Sequence, residues 1–190
     1  MEEKMKIIGI NGSPFVKSRT SDLLNQVLKT AENLGAETEV INLAENKMNL
    51  PSGKLGLHYK DEKSNDDMPE IYEKLINADA LIFATPTHWF NVSSLIKIFI
   101  DRLTVLEESG FLLEGKVVGF IAWGPEGGAT NALENLALIF NHAGCVIPPY
   151  ALMYITNDKY EWMEKDLALM AQNIIKQVKA QKLTNISWGY

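Results

Sequence analysis

The chain has 190 residues, 46% of them apolar and 22% charged, and a formal net charge of −6. These proportions describe one globular domain with a sizeable core, and they exclude a disordered chain. The negative balance argues against a nucleic-acid coat or a polybasic membrane surface, the single cysteine excludes an internal disulfide, and His58, His88 and His142 are too scattered for zinc.

The chain opens on Met-Glu-Glu-Lys and a short apolar run, which is not a signal peptide, and no apolar run reaches membrane length. A cytoplasmic protein with no membrane partner is expected. The first predicted strand covers 6–10. It runs into Gly12-Ser13-Pro14-Phe15-Val16-Lys17-Ser18-Arg19-Thr20-Ser21, and Leu23, Leu24, Val27 and Leu28 then set the period of a helix over 21–34. A strand, a hydroxyl-rich loop and a helix start form an anion trap. The first helix amides lack internal partners, and the dipole places partial positive charge there. Ser13, Ser18, Thr20 and Ser21 add hydroxyl donors, and Arg19 adds a cation. A helix cap needs one such residue. Four hydroxyls and an arginine exceed that, and they point to a phosphate monoester. The loop matches neither the Gly-x-x-x-x-Gly-Lys-Ser/Thr nor the Gly-x-Gly-x-x-Gly pattern.

A second strand is expected at 39–43. The stretch 45–67 then breaks the rhythm with Pro51, Gly53, Gly56 and many charges. It reads as a functional lid, a partner contact or a mobile insertion. A helix at 68–77 and a strand at 80–85 follow. The next loop, Pro86-Thr87-His88-Trp89-Phe90-Asn91, combines flat side chains with an imidazole and an amide. Such a surface suits a planar heterocycle, although Trp89 and Phe90 also read as core anchors and Asn91 as a helix cap. A helix at 92–106 ends in Asp101-Arg102, read as structural, in an ion pair or a subunit contact.

A fourth strand at 117–122 leads to Trp123-Gly124-Pro125-Glu126-Gly127-Gly128, where glycines let a backbone approach a ligand closely, or simply form a turn before a helix capped near Thr130. That helix is expected at 130–143, a fifth strand at 146–152, and a last helix at 158–181 capped by Asn157-Asp158. Gly35 and Gly144 stand where helix C-terminal glycines belong. Cys145 reads as a small buried apolar residue. Trp188 and Tyr190 in the tail suggest docking, on a second subunit or on the chain itself.

Five βα units with continuously apolar strands predict a doubly wound α/β domain spanning 1–190. The expected form is a flavodoxin-like three-layer sandwich with a five-stranded parallel sheet of order 2-1-3-4-5. Ligands of such sheets sit beyond the carboxyl ends of the strands at the switch point. The three unusual loops all emerge there.

Gly12-Ser13-Pro14 with Ser18-Arg19-Thr20-Ser21 resembles the FMN phosphate loop of the NADPH-dependent FMN reductase family. Residues 85–93 with Lys97 and Phe99-Ile100-Asp101-Arg102 are similar to its second flavin segment, and 124–128 to its third. The resemblance covers roughly the first through fifth strands. It implies a flavoprotein that holds FMN and uses NAD(P)H, passing electrons to a quinone, a flavin or a similar small acceptor. No catalytic acid or base and no metal ligand is implied. FMN would contact Ser13, Ser18, Arg19, Thr20 and Ser21 at the phosphate, Pro86, Thr87, His88, Trp89, Phe90 and Asn91 along the ring, and Gly124, Gly127 and Gly128 on the other side. A homodimer or homotetramer is implied as well. Alternative readings are a one-electron carrier and a binding protein that has lost its flavin. The iron–sulfur flavoproteins are similar too, but they carry a compact cysteine motif between the second strand and second helix. This chain has no cysteine in 45–67. Phe15 stands where the family often has a basic residue, leaving Lys17 and Arg19 as the cations of the loop.

Overall fold

The structure, a computed structural model, describes residues 4–53, 56–157 and 160–184. Five strands, β1 (Lys6–Asn11), β2 (Glu37–Asn42), β3 (Ala80–Pro86), β4 (Val117–Trp123) and β5 (Leu152–Ile155), form one parallel sheet of order β2-β1-β3-β4-β5. This is the flavodoxin-like order expected from the sequence. The helices are α1 (Arg19–Asn33), α2 (Met68–Ile76), α3 (Ser94–Arg102), α4 (Thr104–Glu108), α5 (Ala129–His142) and α6 (Met163–Thr184).

The alternation of strand side chains makes two cores. Ile8, Ile10, Leu81, Phe83, Val118 and Phe120 face α2 to α5, and Phe83, Phe120 and Phe140 meet there at ring-centroid distances of 4.5–5.6 Å. Ile7, Ala80, Ile82, Val117 and Ile121 face α1 and α6. Both faces of the central strands are covered, which explains why these strands are apolar nearly throughout.

Three expected elements shift. The fifth strand is not 146–152. Val146 makes only an isolated bridge to Val117, and the ladder begins at Leu152. Pro148 and Pro149 lie between them, and proline has no N–H to give to a ladder. The helix over 92–106 is two helices. At the break, Leu103 N–H bonds to Ile100 O and Leu106 N–H to Leu103 O, an i−3 pattern that tightens the turn. The last helix starts at Met163, leaving Trp162 before it and 56% exposed. The proposed cap Asp158 and the tail aromatics Trp188 and Tyr190 lie outside the described residues. Gly35 and Gly144 do end their helices, with φ of 95° and 77°.

The described residues of the 45–67 stretch are tied to the rest of the fold at several points. Arg102, 4% exposed, donates from Nη1 to Asp66 Oδ2 and to Asn49 O at 3.1 Å, and from Nη2 to Glu62 Oε1 at 2.7 Å. Lys47 N–H and Asn49 N–H bond to the Asp67 and Asp66 carboxylates at 2.7 and 2.9 Å. Tyr59 N–H bonds to Ser109 Oγ at 2.9 Å, while Met48, Leu57 and Tyr59 pack on the core beneath α2–α5. Asp101 instead pairs with Lys97 on the surface. Thus Arg102 is structural, as expected, and its partners come from the irregular stretch.

Removing one partner of a buried ion pair leaves the other charge without compensation. Arg102→Ala should lower unfolding free energy by about 3–5 kcal/mol, measured by urea denaturation. Burial alone would raise the Asp66 carboxyl, but the hydrogen bonds from Arg102 and from the Asn49 backbone N–H outweigh it and hold the group at about 2. Its folded pKa therefore lies below its unfolded value. Its stabilisation should be complete above about pH 4 and lost as pH falls toward about 2. Asp66→Asn should flatten that part of the stability–pH curve.

Candidate functional site

The site is built at the carboxyl ends of β1, β3 and β4. Loop one leaves β1 at Gly12, whose N–H bonds to Ala84 O at 2.8 Å. A Cβ on Gly12 would meet Ile96 Cγ1 at 2.2 Å, so glycine is required for the loop to pass α3 this closely. Ser13 N–H bonds to Asn11 Oδ1, and Ser13 Oγ accepts the Phe15 N–H, both at 3.1 Å. The Ser13 hydroxyl proton is thereby left to donate elsewhere. Ser13 and Thr20 are buried at 2% and 1% exposure, while Phe15, Val16 and Lys17 point to solvent.

Ser18 and Ser21 form a reciprocal capping box. Ser18 Oγ accepts the Ser21 N–H at 3.2 Å, and Ser21 Oγ accepts the Ser18 N–H at 2.8 Å. Two of the four hydroxyls thus shape the helix start itself. Arg19 Nη2 lies 3.2 Å from Met163 Sδ, so the guanidinium spans from α1 to the first residue of α6.

Loop two is a two-residue hairpin. His88 and Asn91 exchange N–H···O=C bonds at 2.9 and 3.1 Å. Trp89 and Phe90 are the central residues, with φ of 49° and 62°, the φ signature of a type I′ turn. Their rings are not core anchors: Trp89 is 95% and Phe90 60% exposed. Asn91 does not cap α3 either. Ser93 does, accepting the Ile96 N–H at 3.3 Å, while Asn91 Oδ1 accepts from Val92 N–H and Asn135 Nδ2.

Loop three closes on loop two. Thr87 N–H bonds to Trp123 O at 2.8 Å, and Thr87 Oγ1 donates to Gly127 O at 3.1 Å. A Cβ on Gly124 would lie 2.4 Å from Thr87 Oγ1, and one on Gly128 2.3 Å from Phe90 Cα. Only glycine admits this approach. Helix α5 starts at Ala129 with Gly128 in the left-handed region as its cap, not at Thr130.

A single buried residue joins the loops. Ser93 Oγ donates to Gly12 O at 2.6 Å, and Ser93 N–H bonds to Thr85 Oγ1 at 3.1 Å. Ser93 and Thr85 lie within the 85–93 segment likened to a flavin loop, but sequence alone assigns neither a role. The Ser93-Ser94 pair ahead of an apolar helix is the cap signal that could have found the first.

Between 86–90 and 123–127 opens a cleft of about 370 Å³. One wall is Trp123, which packs with Tyr160 on the α1–α6 core. Its indole Nε1 is buried without a hydrogen-bond partner. A buried N–H without a partner is costly, and it fits a ligand that brings an acceptor. A phosphate-sized loop at one end, an aromatic cleft at the other and this donor suit a phosphorylated flavin. Among the described residues, no group of three His, Cys, Asp or Glu side chains converges as a metal site, and no helix is long and apolar enough to cross a membrane.

This arrangement is that of a flavodoxin-like flavoprotein. The chain belongs to the NADPH-dependent FMN reductase family, whose pattern matches residues 5–159. An iron–sulfur flavoprotein of Methanocaldococcus jannaschii is 34% identical over 142 residues, 72% of each chain. The 8-demethyl-8-aminoriboflavin-5'-phosphate synthase of Streptomyces davaonensis is 27% identical over 149 residues, 73% of this chain and 57% of that protein. Among solved structures, RosB with bound 8-demethyl-8-formylriboflavin-5'-phosphate superposes with a TM-score of 0.85 at 21% identity, over 96% of this chain and 82% of that one. Membership makes the chain an FMN-dependent oxidoreductase in general kind. It lacks the thiolates for an iron–sulfur cluster, because Cys145 is its only cysteine. That thiol is buried, 3.3 Å from Leu113 O, and burial pushes its pKa up to about 12.

Ser93→Ala should remove the cap of α3 and the tie to Gly12 together. Loss of the cap alone costs about 1 kcal/mol. Stability measured by denaturation should fall by at least that amount, and flavin affinity measured by titration should fall with it.

Proposed function

We propose that the protein is an FMN-dependent NAD(P)H oxidoreductase, passing electrons from a nicotinamide dinucleotide to a small acceptor such as a quinone or a flavin. The observation that carries this reading is the aromatic cleft between loops two and three, beside the hydroxyl-rich loop one that Ser93 ties to the same end of the sheet. FMN, when bound, would supply the hydride and electron chemistry. The chain's own task is to bind, orient and shield.

Ser13 and Thr20 offer hydroxyl donors to the phosphate, with the amides at the start of α1 and the cation Arg19 beside them. Ser18 and Ser21 act at the same place by setting the course of the helix start. Pro86, Thr87, His88 and Asn91 present the hairpin backbone to the ring edge. Gly124, Gly127 and Gly128 let the opposite backbone come close, and Trp123 lines the cleft between them. Hydride transfer from nicotinamide requires no side-chain acid or base. A homodimer or homotetramer goes with this reading, supported by the apolar surface at Leu138, Tyr150 and Tyr154, which are 71%, 64% and 62% exposed.

Calorimetric titration should show FMN binding more tightly than FAD, because loop one is shaped for a terminal phosphate. Equal or tighter FAD binding would contradict the assignment. Ser13→Ala with Thr20→Ala should cost roughly 1.5–3 kcal/mol per lost charged hydrogen bond, about tenfold to a hundredfold in affinity each. On anaerobic mixing, NADPH or NADH should bleach the flavin band. An FMN-loaded protein that neither dinucleotide bleaches would remove nicotinamide as the donor.

A further inference from the structure

We propose that the Trp89–Phe90 turn and Glu126 form a selectivity filter at the cleft mouth, which accepts an uncharged planar ring and turns away an anionic one. The inference rests on reading this cleft as the redox site.

The first observation is conformational. A type I′ turn needs positive φ at both central residues, and asparagine and glycine are its usual occupants. Here tryptophan and phenylalanine hold φ of 49° and 62°. Positive φ in so bulky a residue is unfavourable and persists only where the surroundings over-determine it. They do so here. The His88–Asn91 bond pair closes the turn from below, and Gly128 packs directly against the Phe90 backbone.

The second observation is solvation. Core packing does not compensate this strain, since Trp89 is 95% and Phe90 60% exposed. The turn therefore spends backbone strain to hold two flat apolar surfaces in water, on the rim of the cleft that both residues line. A planar ring stacking on them removes that surface from water.

The third observation is charge. Among the described residues that line the same cleft, Glu126 and His88 are the ionisable groups and none is Lys or Arg. A solvent-exposed carboxylate on that rim repels a nearby anion by up to about tenfold in affinity. The mouth thus combines stacking surface with negative charge.

The test uses the full chain, stripped of flavin and reloaded with FMN, and two probes: menadione, a neutral naphthoquinone, and 1,4-naphthoquinone-2-sulfonate, an anionic one. Equilibrium dialysis should show menadione binding about tenfold more tightly. Glu126→Gln should bring the two within about threefold by strengthening the sulfonate and leaving menadione unchanged. Phe90→Gly should weaken menadione about fivefold while raising Tm by about 2 °C, because relief at positive φ exceeds the added chain entropy. Trp89→Gly should weaken menadione likewise, without a change in oligomeric state by sedimentation.

Equal affinity for the two probes in the unmodified chain would overturn the filter, as would a gap that Glu126→Gln leaves in place. A fall in Tm for Phe90→Gly would overturn the strain argument. Dissociation of an oligomer by Trp89→Gly with menadione binding intact would assign the turn to a subunit contact instead. A chain that binds no FMN but still discriminates between the probes overturns the functional reading alone. An FMN-loaded chain that does not discriminate overturns the filter alone.

Discussion

The site depends on one buried hydroxyl. Ser93 caps α3 through Ile96, takes its own N–H to Thr85 in β3, and gives its proton to Gly12 at the end of β1. The end of β1 thereby shares one polar centre that water does not reach with the β3–α3 connection, 81 residues further along the chain. A buried hydroxyl with both its bonds satisfied is rigid, because each alternative rotamer leaves a polar group unpaired. Loop one takes its height above the sheet from this contact. Gly12 is the steric counterpart, since Ile96 occupies the space a Cβ would need.

From that centre the order spreads unevenly. Loop three is locked to loop two through Thr87, and two glycines admit the close approach. The opposite flank carries a different kind of order. There a chain with no regular period is bound to α3 by a buried guanidinium and two carboxylates. Such a pair is weak as net stabilisation against an apolar substitute, but it specifies where an irregular segment must lie. Among the described residues, none of that segment lines the cleft, and Met48, Leu57 and Tyr59 pack on the core instead. Rigidity at the flank and the seam coexists with strain and exposure at the Trp89–Phe90 rim.

Local pattern carried most of the fold. Apolar runs closed by polar loops located four of the five strands, and 3.6-residue periodicity located the helices, because both signals arise within a few residues of one another. The sheet order followed from the number of βα units and the handedness of their crossovers. The three loops were legible for the same reason: each interrupts a strong period with residues that neither strand nor helix needs.

What required tertiary structure was the choice among partners. Hydroxyls over 13–21 were visible, but not that Ser18 and Ser21 would bond each other while Ser13 kept a proton to donate. The aromatics of loop two read as equally suited to core or ligand, and only the His88–Asn91 bridge turns them outward. Arg102 gave no sign of its partners, 36 and 40 residues away. The unpaired indole of Trp123 was equally silent, since an unmet hydrogen bond exists only once every neighbour is in place. The sequence by itself determined the architecture and the end of the sheet where the chemistry gathers, because periodicity and turn chemistry act locally. The bonding within that site was decided by tertiary structure alone, because each polar group there chooses among partners that only folding brings within reach.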